Sequence, residues 1–131
     1  KVDIMDAKQH DYILSITSHI PHLIAYNIVN TTLEVQDKKE SDIVKYSAGG
    51  LRDFTRIAAS NPVMWRDVFI QNKKNTSQMI DNFIANLEDL KKAIENEDGE
   101  KLEEIFVKTK KIRKEIVKAG QDVSKPDFGR K

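Results

Sequence analysis

The feature that most limits this chain is the spacing of its apolar residues between Pro62 and Glu95. Met64, Trp65, Val68 and Phe69 are followed by Met79, Ile80, Phe83, Ile84, Leu87, Leu90 and Ile94. Read as one helix, that is about nine turns carrying a single apolar stripe. No segment alternates with period two over more than a few residues, so strands have no support. The spacing predicts an all-α protein built on long helices.

A second amphipathic run, from about Asp6 to Thr32, carries Tyr12, Ile13, Ile16, Ile20, Leu23, Ile24, Tyr26 and Ile28. Pro21 sits in its middle, where a proline removes a backbone hydrogen bond and costs roughly 3 kcal/mol. Either the helix ends and restarts there, or the fold has a reason to keep the proline. The polar stretch after Thr32 reads as a connector, with a short helix from Ser41 to Lys45. Ser47-Ala48-Gly49-Gly50 reads as a turn, since adjacent glycines permit positive φ and close approach by a ligand or another backbone. A short helix from Leu51 to Ala59 follows, and Asn61-Pro62 starts the next with proline at its first position.

Asp98-Gly99 breaks the long stripe. Leu102, Ile105, Phe106, Ile112, Ile116 and Val117 form a final helix that can return antiparallel, ended by Gly120 as its C′ residue. The expected organisation is a helical domain over residues 1–120 and an irregular tail over 121–131. The apolar surface exceeds what the chain can cover, which predicts a homodimer through the long helices.

Charge excludes several partners. Lys and Arg total 22 against 21 Asp and Glu, so there is no basic field to attract nucleic acid. Lys91, Lys92, Lys108, Lys110, Lys111, Arg113 and Lys114 are interleaved with acids and read as a solvated face. The absence of cysteine excludes disulfides, thiolate catalysis and Cys-ligated zinc. No stretch reaches the roughly 18 apolar residues of a membrane span, and no signal peptide is visible. The opening at Lys1 rather than a methionine suits a processed or truncated product.

Costly polar residues gather in two places. In Ser18-His19-Ile20-Pro21-His22, Ser18 and His22 stand four apart on one helical face and can point at a common ligand. In Gly49-Gly50-Leu51-Arg52-Asp53-Phe54-Thr55-Arg56, followed by Ser60 and Trp65, two arginines sit just after the glycines. The guanidinium is the side chain best shaped for a carboxylate, so a small anion with several oxygens suits this site. Each residue also has a plainer reading. His19 and His22 alone are too few ligands for a metal, and no metal is expected; a histidine on a partly apolar helix is commonly an interface residue. Arg52-Asp53 can be a surface ion pair and Trp65 simple core.

Taken together the two segments resemble the prephenate, arogenate and cyclohexadienyl dehydrogenase family. His10-Asp11 and Ser18-His-Ile-Pro-His22 are similar to that family's HD…SHLPH helix. Gly49-Gly-Leu-Arg-Asp-Phe-Thr-Arg-Ile-Ala-Ala-Ser-Asn-Pro-Val-Met-Trp-Arg-Asp67 resembles its GGFRDxTRIAxSxPxMWRD run, with departures at Leu51, where Phe is usual, and at Ala48, where many members have a third glycine. The resemblance covers essentially the whole chain. It implies a helical dimerisation domain that completes a substrate pocket, paired with an N-terminal Rossmann domain. That second domain binds NAD or NADP and supplies the catalytic histidine for oxidative decarboxylation of prephenate or arogenate in tyrosine biosynthesis, in the cytoplasm. This sequence has no GxGxxG and no βαβ pattern. It is therefore expected to bind no cofactor alone, to catalyse no hydride transfer alone, and to contain no catalytic residue, His10, His19 and His22 included.

By position the resemblance implies that Arg56 grips a substrate carboxylate and that His22, with Ser18 beside it, hydrogen-bonds substrate or product. Ser60, Trp65 and Gly49 shape the pocket, and Arg52 and Asp53 belong to an ionic gate at the dimer contact. Two rivals stand beside this reading. A structural helical dimer module would keep the fold without ligand affinity. A phosphoacceptor helix of the histidine-kinase kind would place an acidic residue directly after the histidine, where this chain has Ile20.

Overall fold

The computed structural model describes residues 5–35 and 49–120, nearly all of them helix. The expected helix at 41–45, Ser47, Ala48 and the 121–131 tail lie outside the described residues. The helices are α1 (Ala7–Leu14), α2 (Ile20–Val35), α3 (Gly49–Ala58), α4 (Pro62–Gln71), α5 (Lys73–Glu95) and α6 (Gly99–Lys118). The chain forms two compact units, which divide between Asp81 and Asn82.

In the first unit α1 begins on Asp6, whose carboxylate accepts from the Gln9 amide at 2.8 Å and so satisfies a donor that the first turn leaves unpaired. The helical path does not end at Pro21. Ser15–His19 forms a π turn between α1 and α2, in which the Ile20 amide bonds the Ser15 carbonyl five residues back. Proline has no amide to give, and its ring crowds the carbonyl four residues before it. A widened turn just ahead absorbs that misfit without breaking the helix. Ser15 is fully buried in this turn, with its hydroxyl on the Tyr12 carbonyl at 2.6 Å.

Helix α2 packs along α3 and buries Ala25 completely. α3 divides cleanly by face: Leu51, Phe54, Ile57 and Ala58 are half-buried, while Arg52, Thr55 and Arg56 are exposed. The expected glycine turn is here a helix start. Gly49 and Gly50 are the first residues of α3, and an added Cβ on Gly50 would meet nothing within 4 Å. Neither glycine adopts positive φ among the described residues, so helix initiation rather than close backbone approach accounts for Gly50.

The stripe from Pro62 to Glu95 is two helices rather than one. Asn61 caps α4, its side-chain oxygen accepting from the Val63 and Met64 amides at 2.9 and 3.0 Å, with Pro62 in the first turn. Helix α4 stops at Asn72, which sits at φ −106°, ψ 35°. Backbone bonds continue through the break, from the Asn72 amide to Val68 and from the Thr76 amide to Asn72. Periodicity cannot detect such a break, because the apolar stripe keeps its phase across it.

The second unit holds the rest of α5 and α6. Asp98 caps α6 through the Lys101 amide at 3.1 Å, and Gly120 takes φ +79° just past its end, as a left-handed C′ residue should. Among the described residues of this unit only Ala93 is buried. Phe83, Ile84, Leu87, Ile94, Phe106, Val107, Ile112 and Ile116 all remain exposed. Leu102, Phe106 and Val107 line an open apolar hollow edged by Glu103 and Lys110.

Candidate substrate-facing site

The polar residues of the α1–α2 path meet helix α4 around one indole. Trp65 is buried at 8% exposure. The His22 imidazole stacks on it, with centroids 3.9 Å apart and planes 17° from parallel. His19 meets the indole edge-on at 6.1 Å and 82°, and Phe69 leans against it at 5.4 Å. Such ring pairs are worth about 0.5–1.5 kcal/mol each beyond the area they bury, and they fix ring planes as well as positions.

The two histidines are held differently. His22 Nδ1 lies 2.8 Å from the Ser18 carbonyl, which can only accept, so Nδ1 carries the proton and donates. Its Nε2 has no hydrogen-bond partner among the described residues, and the ring is half-buried. In the neutral ring this nitrogen is an acceptor; in the charged ring it is a donor.

The orientation of Asn72 settles the state of His19. The Asn72 Nδ2 group lies 2.8 Å from the Asp11 carbonyl and 3.1 Å from His19 Nδ1, and the Asn72 oxygen accepts from Asn75 Nδ2 at 3.0 Å. Because the Asp11 carbonyl can only accept, the amide group must face it, and its second hydrogen goes to His19 Nδ1. His19 is thus an acceptor at Nδ1 and a neutral imidazole protonated at Nε2. Burial also pushes its pKa below the usual 6.5; the Asp11 carboxylate opposes that shift, while His22 and His10 add to it.

The expected site residues fall into two groups. Ser18, His22 and Trp65 come together, Ser18 through its carbonyl. Ser60 is tied to the same unit by its backbone: the Tyr26 hydroxyl donates to the Ser60 carbonyl at 3.0 Å, and the Ser60 hydroxyl donates to Ile57 at 2.8 Å. Arg56 stands apart on the exposed face of α3, where it pairs with Asp53 at 3.8 Å. No hydrogen bond, ion pair or ring contact joins it to the His22–Trp65 stack among the described residues. Asp53 thus meets a cation one turn on along its own helix, and no ion pair joins it to the adjacent Arg52 among the described residues. His10 lies 3.6 Å from Asp11 at the surface. Among the described residues no three His, Asp or Glu side chains group as metal ligands.

Sequence reasoning missed Asn72, Asn75 and Tyr26. The only available signal was an asparagine pair three apart within an apolar stripe, which reads equally well as a solvated face.

The comparisons with known proteins agree with this architecture. The family model described as prephenate dehydrogenase, dimerization domain, matches residues 6–108. A cyclohexadienyl dehydrogenase of Zymomonas mobilis is 40% identical over 113 residues, covering 86% of this chain and 39% of that protein. A prephenate dehydrogenase of Bacillus subtilis is 35% identical over 109 residues, covering 83% of this chain and 29% of that protein. The crystal structure of Aquifex aeolicus prephenate dehydrogenase in complex with hydroxyphenyl propionate and NAD+ superposes with a TM-score of 0.80 at 42% identity, covering 88% of this chain and 40% of that one. The chain thus spans 29–40% of the length of these relatives. By family match, sequence identity and fold, the chain belongs to the prephenate dehydrogenase dimerization-domain family.

Proposed function

We propose that this chain is the dimer-forming, substrate-binding part of an NAD- or NADP-dependent dehydrogenase that converts prephenate or arogenate by oxidative decarboxylation in cytoplasmic tyrosine biosynthesis. The observation that carries the substrate role is the His22 ring: clamped against Trp65, committed at Nδ1 to Ser18, and without a partner at Nε2 among the described residues. A hydrogen-bonding group fixed before the ligand arrives loses little freedom on binding. Residues 1–120 act as one functional domain, with 121–131 as a tail. Ser18, Ser60, Gly49 and Trp65 shape the pocket around His22.

Arg56 binds a substrate carboxylate by exchanging it for Asp53. Asp53 and Arg52 then serve as the ionic gate at the dimer contact. The nicotinamide cofactor accepts the hydride in the intact enzyme. A separate nucleotide-binding domain holds the dinucleotide in this reading, and no catalytic group is assigned here. Homodimerisation is supported by the bare apolar faces of α5 and α6 and by the matched dimerization-domain family. No helix among the described residues is long and apolar enough to cross a membrane.

One observation favours a second reading, a structural dimer module without ligand affinity: Arg56 is already engaged by Asp53, so the carboxylate grip is not preformed. Fusing this chain to a family nucleotide-binding domain separates the two. Prephenate and arogenate are each supplied with NAD and NADP, and reduced cofactor is followed by absorbance. Turnover that needs both halves supports the main reading. A fusion that is folded, dimeric and silent supports the structural module.

A further inference from the structure

Asn72 interrupts a helix that the apolar pattern would have continued, and its side chain turns away from its own helix to the α1–α2 path. Its amide bridges the Asp11 carbonyl, at 2.8 Å, and His19 Nδ1, at 3.1 Å, and Asn75 holds its oxygen in place. His19 in turn stands T-shaped to Trp65, an indole that also meets the stacked His22 and the tilted Phe69. The chain of contacts runs from Asn72 through His19 and Trp65 to His22, within one compact unit.

We propose that Asn72 is a positioning residue for the substrate site: by holding the His19 ring in one tautomer and one plane, it fixes the Trp65 face on which His22 lies. The proposal rests on the reading that His22 contacts substrate. Its physical content is that the Asn72 amide can donate only to an unprotonated His19 Nδ1, so a flipped or protonated ring would lose that bond. The Asp11 carbonyl rules out the flipped amide, so a single residue ties the π turn, the end of α4 and the ring stack into one arrangement. Ring torsions are soft, and misplacing a binding group by about 1 Å can cost up to about a hundredfold in rate.

The test uses the full-length enzyme carrying this chain. In Asn72→Leu, similar in size but with no donor, the substrate KM is expected to rise about tenfold while the cofactor KM stays unchanged. The upfield ring-current shift of the His22 protons is expected to diminish with it. Asn72→Gln, which keeps the amide, is expected to recover part of both, a recovery that loss of packing alone would not give. His22→Ala serves as the reference. If it raises the substrate KM while Asn72→Leu changes neither the KM nor the His22 shift, the positioning role is overturned and the substrate site stands. If His22→Ala leaves the substrate KM unchanged, the site reading falls and this proposal with it. Should Asn72→Leu fail to fold, imidazole nitrogen shifts of the unaltered enzyme decide. A His19 bearing its proton on Nε2 at neutral pH supports the proposal, and one protonated at Nδ1 overturns it.

Discussion

At the scale of residues, burial makes two polar groups consequential, Thr76 and His19. Thr76 is buried at 4% exposure, and its hydroxyl has no hydrogen-bond partner among the described residues. A buried hydroxyl without a partner loses water and gains nothing in return, so Thr76→Val, nearly the same shape, should stabilise the fold by about 1 kcal/mol in chemical denaturation. A lower denaturation midpoint would show that the hydroxyl is in fact satisfied. His19 gives the fold a pH dependence. Its folded pKa lies below the usual 6.5, so the unfolded chain binds the proton more readily. The contribution from burying this neutral ring is fully present above 6.5 and is lost as pH falls through the lower folded value. The Asp11 carboxylate opposes the shift, and His22 and His10 reinforce it. The thermal midpoint should therefore fall on acidification below that range, and less steeply in His19→Gln. Arg56 is half-exposed and its pair with Asp53 is weak. Arg56→Ala should leave the thermal midpoint nearly unchanged while raising the substrate KM of a fused enzyme about tenfold or more, with the cofactor KM unaltered. Equal losses for both ligands would reject the carboxylate role.

At the scale of elements, caps and one widened turn position the site. Asn61 ends the α3–α4 connection and orients the first turn of α4, four residues before Trp65. Asn61→Ala removes two capping bonds and should cost about 1 kcal/mol of stability. It should also reduce the ring-current shift of His22, measurable by proton NMR, because the helix start carries the indole. A full loss of stability with an unshifted His22 would separate the cap from the site. The π turn at Ser15–His19 does similar work on the opposite side: it carries His19 inward, where it is 9% exposed, one turn before His22.

At the scale of the whole molecule, apolar surface left uncovered is the main fact. The second unit buries Ala93 and leaves eight large apolar side chains of α5 and α6 exposed among the described residues. Exposing so much is unfavourable by about 25 cal/mol per Å², and a second copy of the same helices offers a matching surface. Sedimentation should give twice the mass of one chain, and Phe106→Glu or Leu87→Glu should shift it toward the monomer with helicity kept. A monomer for the unaltered chain at micromolar concentration would overturn the dimer.

Helix content, the break at Asp98-Gly99, the stop at Gly120 and the start at Asn61-Pro62 were all readable in the sequence, because spacing, capping and positive φ are local properties of a few residues. The two motif segments could be singled out for the same reason, since costly polar groups stand out against a helical stripe. Nothing local tells that Pro21 is absorbed by a π turn, that Gly49-Gly50 starts a helix, or that α4 ends at Asn72 within an unbroken stripe. The break at Asn72 goes with what lies across the unit, the Asp11 carbonyl and His19, just as His22 meets the Trp65 face and Tyr26 the Ser60 carbonyl. Residue type limits which bonds a side chain can make, and periodicity limits which face it occupies. The partner on the other side is chosen only when helices far apart in sequence pack, and that choice set His19 against Asn72 and Trp65 and left His22 Nε2 without a hydrogen-bond partner among the described residues.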